Sequence, residues 1–258
     1  MDFGNGRLIE LKTRAEIAIM RRAGQVVADL LAHLEPMVRP GIRTKDLDQE
    51  AKDFLRRAQA KPAFLGYRGY PACICVSVND EVVHGIPGER KIDAGDVVSI
   101  DAGAVVDGFY GDAAITVVVG EVDPRVIRLV ETTKKALEAG ISQALVGNRL
   151  SDISHAVQKT IEPLGFGIVR DFVGHGIGRN MHEEPPIPNF GAPNLGPRLR
   201  AGMVLAIEPM VTLGTHEVEI LADGWTAVTR DGSLAAHFEH SVAITDEGVE
   251  ILTRRGDA

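Results

Sequence analysis

Ile17, Met20, Gly24, Val27, Leu31 and Leu34 recur at alternating steps of three and four, the spacing of one face of an α-helix. Thr13 stands just ahead of that stripe and Glu16 follows three residues later, a pairing in which each side chain caps the other's backbone N–H. A helix over about 14–34 is predicted, stopped before the Pro36 to Pro40-Gly41 loop. A second is predicted from about Thr44 to Ala60, with Leu47, Ala51, Phe54, Leu55 and Ala58 inward. The period then becomes that of strands, around 72–79, 97–104 and 109–119. At Asp123-Pro124 the order starts again, with an N-cap and proline at the first helical position. The stripe that follows is Ile127, Val130, Leu137, Ile141 and Ala144. Ser151 is read as the cap of a further helix ending before Pro163 and Gly165, and more strands run to the C-terminus.

Helix–helix–strands thus occurs twice, and the letters keep a trace of it. Gly41-Ile-Arg43-Thr-Lys-Asp46-Leu47 matches Gly147-Asn-Arg149-Leu-Ser-Asp152-Ile153 at an offset of 106. The expectation is one domain over 1–258, built of related halves at about 1–120 and 121–258 that pack around a common sheet. Sites in such molecules lie where the halves meet.

The strand pattern is densest from Val97 to Val119, two β-branched runs joined by Asp107-Gly108, a dipeptide suited to a two-residue hairpin turn. Counting outward from that turn, Val106 pairs with Phe109 and Gly103 faces Asp112. Asp101, two residues from Gly103, shares the face of Asp112. Diagonal neighbours of this kind lie roughly 7–8 Å apart. Two short carboxylates at that separation either close on cations or are ordinary solvent-facing residues. On a buried face without a cation they would repel.

Composition narrows the class. Apolar residues make up 45% of the 258 and charged ones 25%, ordinary for a globular protein with a sizeable core. A net charge of −8 shows no basic face for nucleic acid. No apolar run approaches the ~20 residues that span a bilayer, and MDFGNGRLIELK lacks the apolar core of a secretory signal. Cys73 and Cys75 are too close in sequence for a mutual disulfide; they read as reduced strand residues of a cytoplasmic protein.

The second half supplies further candidate ligands. Phe172-Val-Gly-His175-Gly-Ile-Gly-Arg-Asn-Met-His182 is glycine-rich around a histidine, but its glycine spacing is not that of a dinucleotide loop. The glycines instead let the backbone pass close to a crowded site and present His175. Five prolines between Pro185 and Pro197 make a stiff irregular loop. Met203-Val-Leu-Ala-Ile-Glu208 is an apolar strand ending in an acid, and on His237-Phe-Glu239-His240-Ser-Val-Ala-Ile the residues His237 and Glu239 share one face. Taken singly, Glu208 and Glu239 read as surface acids. Taken together, four carboxylates gathered in one place need compensation. Two divalent cations would balance them, with neutral His175 as a fifth ligand and with Mn, Fe or Co-like ions preferred over a thiolate-type zinc site.

The ordered set His84, Asp101, Asp112, His175, His182, Glu208 and Glu239 resembles that of the type I methionine aminopeptidases, of the pita-bread metallopeptidase fold. The likeness runs through Val83-His84-Gly-Ile-Pro87, Asp101-x-Gly103, Gly111-Asp112, Gly174-His175-Gly-Ile-Gly178, His182-Glu-Glu-Pro185, Ile207-Glu208-Pro209 and Phe238-Glu239-His240. It implies an α+β fold with two pseudo-symmetric helix–helix–strand halves around a central, mainly antiparallel sheet. It also implies two metals (Co, Mn or Fe, with Zn admitted) bridged by Asp112 and Glu239, with Asp101 on one and His175 and Glu208 on the other. His84 and His182 would flank the substrate, with a side-chain pocket from Phe64, Tyr67, Tyr70, Cys75, Met181 and Trp225. Met181 stands where relatives often carry an aromatic, and Phe64 where some carry cysteine.

The implied reaction is removal of N-terminal methionine from nascent polypeptides and peptides when the second residue is small. A metal-activated water attacks the first peptide bond, with Glu208 as proton shuttle. X-Pro peptidases share the ligands but usually carry an extra N-terminal domain. Type II methionine aminopeptidases carry a helical insertion for which the 31 residues from Glu208 to Glu239 leave no room. A non-catalytic module on this fold would have lost ligands. The expected setting is a cytoplasmic monomer without membrane contact, and ribosome association is compatible with the substrate. Asp2 is not small, so the chain should keep its own Met1.

Overall fold

The first stripe folds as α1, Arg14–Leu34, closed at its start by Thr13 and Glu16 in a reciprocal cap. A computed structural model describes residues 8–255; Met1 and Asp2, and with them the expected retention of Met1, lie outside the described residues. All six stripe residues of α1 are buried. Helix α2 spans Thr44–Arg57 and stops short of the predicted end. Ala58, expected inward, is its exposed C-cap, because Gln59 turns with a φ of 55° and Ala60 is the residue that re-enters the core. Helix α3 spans Pro124–Ser142 and α4 spans Leu150–Ile161. In α3 the stripe is rotated from the expected one: Val126 and Leu129 are buried while Ile127 is 40% exposed. Adjacent apolar pairs at 126–127 and 129–130 leave that phase open in the sequence. Ser151 does not cap α4. The cap is Arg149, whose N–H donates to Asp152, and the buried Ser151 hydroxyl accepts the N–H of Leu195.

The strands are β1 Lys61–Pro62, β2 Ile74–Val78, β3 Glu81–Val83, β4 Val97–Val106, β5 Phe109–Val118, β6 Gly167–Ile168, β7 Gly174–Gly176 and β8 Glu183–Ile187. They continue as β9 Val204–Ile207, β10 Met210–Thr212, β11 Val218–Ile220, β12 Ala227–Thr229, β13 Ala235–His237, β14 Glu239–Thr245 and β15 Gly248–Ile251. Among the described residues, nine form one antiparallel sheet in the order β1-β4-β5-β14-β9-β7-β8, with β2 on β4 and β15 on β14. Part of the proline-rich stretch is therefore regular: Glu183–Ile187 is a strand on β7. The strand expected through His237 and Glu239 divides at Phe238, so that His237 pairs with Met210 while Glu239 pairs with Ala114.

Helices α1 and α2 pack on the first hairpin, where Leu30, Leu34, Leu47 and Leu55 meet Ile74, Val98 and Ile100. Helices α3 and α4 cover the second set of strands, where Leu137, Ile141 and Ile153 meet Leu205, Ile207 and Val242. The repeated heptapeptide has the same local structure in both places. Gly41 and Gly147 have φ of 90° and 94°, Arg43 and Arg149 are helix N-caps, and Asp46 and Asp152 each accept the cap N–H. Each arginine also forms an isolated bridge, to Lys91 and Arg198 respectively. This is an α+β pita-bread arrangement of two pseudo-symmetric halves about a mainly antiparallel sheet, joined where β5 meets β14.

Candidate metal centre

The β4–β5 hairpin carries the first two acids. Asp107 and Gly108 turn with φ of 48° and 79°, the positive pair that matches strand twist, and Gly103 faces Asp112 in register. Asp101 and Asp112 therefore share a face, as the period of two requires. Asp112 is then tied to the other half. The Ser241 hydroxyl donates to its carbonyl at 2.8 Å and accepts its N–H at 3.1 Å, extending a β5–β14 ladder otherwise registered at two positions.

His175 comes from β7, between two glycines that permit close strand packing. A Cβ on Gly174 would stand 2.4 Å from the Ala206 carbonyl oxygen, and one on Gly176 would stand 2.1 Å from that of Glu184. His175 Nδ1 lies 2.9 Å from the Gly176 carbonyl oxygen. A carbonyl only accepts, so the proton sits on Nδ1 and Nε2 carries a lone pair. That Nε2 is 3.5 Å from Oε1 of Glu208, which follows β9 directly. Glu239 opens β14, with only 2% of the residue exposed.

These side chains converge. Ligand atoms of Asp112, His175 and Glu239 lie within 4.8 Å of one another, and so do those of Glu208, His237 and Glu239. Burial pushes Asp101 up to about 7. Burial, then the neighbouring carboxylates, raises Asp112, Glu208 and Glu239 well above the ordinary range. Burial, followed by the neighbouring His182, holds His175 down to about 3, so its ring is neutral. Oδ1 of Asp101, Oδ1 of Asp112 and Oε1 of Glu239 are buried without hydrogen-bond partners. Orphaned acceptors, crowded acids and a lone-pair imidazole make a donor set that fits divalent cations.

Beside the acids is a cavity of about 320 Å³, at the small end of ligand pockets. All six pocket residues named from the sequence line it: Phe64, Tyr67, Tyr70, Cys75, Met181 and Trp225. Cys75 is the cross-strand neighbour of Asp101, and both cysteines are free thiols. Glycine at 103 makes room for this wall, since a Cβ there would meet Phe64 at 2.8 Å. His84 sits on the rim with a φ of 62°, edge-on to Phe172 at 5.4 Å, and burial lowers it to about 4. His182 is exposed. Its Nδ1 is 2.7 Å from the Tyr67 hydroxyl, and its ring centroid is 4.3 Å from that of His175.

Sequence reasoning left out Val83, Arg68, Asp171, Phe172 and Val173, which also line the cavity, and gave no role to His237. The signal for His237 was present, since it shares a strand face with Glu239. Phe172 preceded the glycine motif without marking itself as a wall.

A model of metallopeptidase family M24 matches residues 18–246. Methionine aminopeptidase 1 of Bacillus subtilis is 51% identical over 247 residues, covering 96% of this chain and all of its own. The crystal structure of methionine aminopeptidase from Thermotoga maritima superposes with a TM-score of 0.95 at 49% identity, covering 96% of this chain and 100% of that one. Prolidase from Pyrococcus furiosus superposes at 0.77 with 22% identity, and the match covers 66% of its length. That last likeness is one of fold alone.

Proposed function

This chain is a member of metallopeptidase family M24, and from that premise we propose that it is a type I methionine aminopeptidase. It removes N-terminal methionine from peptides and nascent proteins whose second residue is small. One observation carries the reading: a buried cluster of acids with a lone-pair histidine opens directly onto a small, largely apolar cavity.

Two divalent cations of the Mn, Fe, Co or Zn type would be held by Asp101, Asp112, His175, Glu208 and Glu239. When bound, they supply Lewis acidity, lowering the pKa of water and polarising the scissile carbonyl. Glu208 takes a proton from the attacking water and returns it to the leaving amine as the C–N bond breaks. The Tyr67 hydroxyl lies 2.7 Å from Nδ1 of His182, and the tautomer in which Tyr67 donates leaves the His182 proton on Nε2 as a donor for the carbonyl oxygen, where negative charge grows. Neutral His84 flanks the substrate on the other wall. Phe64, Tyr70, Met181 and Trp225 enclose the methionine thioether, a soft group suited to aromatic and apolar walls. The whole chain acts as one catalytic unit, since the first half contributes two acids and the second contributes three ligands. A cytoplasmic monomer working on chains as they leave the ribosome is the setting this activity implies.

Steady-state assays on three tripeptides test the reading. Met-Ala-Ser should be cleaved, Met-Leu-Ser should not, and Leu-Ala-Ser should be poor. Chelation should abolish the activity and Mn, Fe or Co should restore it. Comparable rates on all three peptides would make this a general aminopeptidase, and full activity in metal-free protein would remove the metal from the mechanism.

A further inference from the structure

Cations would satisfy the orphaned oxygens of Asp101, Asp112 and Glu239, but a fourth orphan at the same place is of another kind. Nε2 of His237 is buried without a partner, in a side chain 2% exposed. It lies 4.0 Å from Oε2 of Glu239, and it belongs with Glu208 and Glu239 to the group whose ligand atoms fall within 4.8 Å of one another. The main chain of His237 is pinned. Thr116 Oγ1 donates to its carbonyl at 2.7 Å and accepts its N–H at 2.9 Å, and β13 pairs it with Met210. The strand, rather than a partner of the ring itself, therefore delivers the imidazole to the two carboxylates.

The chemistry of the contact fixes the proton. With cations keeping the pair ionised, its carboxylates only accept, and an imidazole lone pair aimed at them would repel, so the proton belongs on Nε2. This is the opposite tautomer to that of His175, which gives its Nδ1 proton to Gly176 and keeps Nε2 bare. One histidine is prepared for a cation and the other for a carboxylate. A carboxylate bound to a cation through one oxygen keeps a second oxygen free, and a donor at that second oxygen fixes its orientation and tunes its basicity.

We propose that His237 is a positioning residue, whose Nε2–H faces the Glu208–Glu239 carboxylate pair from 4.0 Å and closes on it as a donor once the pair holds cations, fixing the Glu208 oxygen that carries the proton from water to the leaving amine. The proposal rests on the reading of Glu208 as the shuttle.

Three variants test it: His237→Gln, which keeps an N–H donor, and His237→Leu and His237→Met, which remove it at similar bulk. Each is titrated with Mn(II) by calorimetry and, after loading, assayed on Met-Ala-Ser. Leu and Met should weaken Mn(II) binding and lower kcat, each by roughly 10–100-fold, with KM within severalfold of the parent. Gln should restore both. If Leu fails to fold, Met provides the same comparison. Equal impairment of Gln and Leu would overturn the proposal, as would a Leu or Met variant that matches the parent in both readouts. The Mn(II) arm does not depend on the peptide. Should the parent fail to cleave Met-Ala-Ser, the functional reading falls, and the affinities still decide whether His237 supports the cation site.

Discussion

His175 and His182 belong to one short motif, yet their surroundings differ in ways that assign them different work. His175 is buried between strands with its Nε2 lone pair toward Glu208, whereas His182 is exposed at the cavity with Tyr67 on its Nδ1. His182→Ala should therefore keep its metal content and hold KM within severalfold, while kcat falls by roughly 10²–10³, the usual loss for one oxyanion donor. Metal analysis beside steady-state kinetics checks this. Loss of metal in step with activity would make His182 a ligand, and an unchanged kcat would leave it as loop structure. At this scale Asp101 and Asp112 were legible, because the period of two and a turn with a defined loop length decide which residues share a face. His237 was legible only in part. Its face could be counted, but whether that face is solvent or site depends on which strands flank it, and the sequence does not state that.

At the scale of elements, the seam between β5 and β14 is the joint that brings Asp112 to Glu239, and a single hydroxyl completes it. Ser241 is fully buried and satisfies both the N–H and the carbonyl of Asp112. Ser241→Ala would leave two buried backbone groups without partners, each costing about 1–3 kcal/mol. A loss of about 2–6 kcal/mol is expected in urea unfolding of the metal-free protein, and an unchanged midpoint would show that the ladder closes without the hydroxyl. The helices themselves were well marked in the sequence, α1 most of all, since its stripe and its cap agree. The misplacements have local causes. Val126-Ile127 and Leu129-Val130 offer two phases for one stripe. At the start of α4, Asp152 reaches back to cap Arg149, which frees the Ser151 hydroxyl for Leu195.

Across the whole molecule, two halves each cover a hairpin-like set of strands with two helices and meet over buried acids, which makes stability depend on pH in a way that metal should reverse. Asp101 is raised to about 7, and Asp112, Glu208 and Glu239 are raised well above the ordinary range, burial being the main cause. A raised acid keeps a proton in the folded state that the unfolded chain has already released, so stability falls as pH rises past the ordinary carboxylate range. Buried histidines act in the opposite sense. His84, held to about 4, and His175 and His237, each held to about 3, lack protons that the unfolded chain binds below about 6.5. Their contribution rises with pH and is complete by about 6.5, after which nothing offsets the carboxylates. The metal-free protein should therefore lose thermal stability from about pH 6.5 upward, with a slope of up to ~1.4 kcal/mol per pH unit for each proton retained. Divalent cations compensate the ionised acids in place of those protons, so loading with Mn(II) should raise Tm most at the alkaline end and flatten the dependence. Calorimetric scans of metal-free and loaded protein from pH 6.5 to 8.5 make the comparison. Parallel pH dependences in the two forms would mean that the four acids ionise in the folded protein without help from metal.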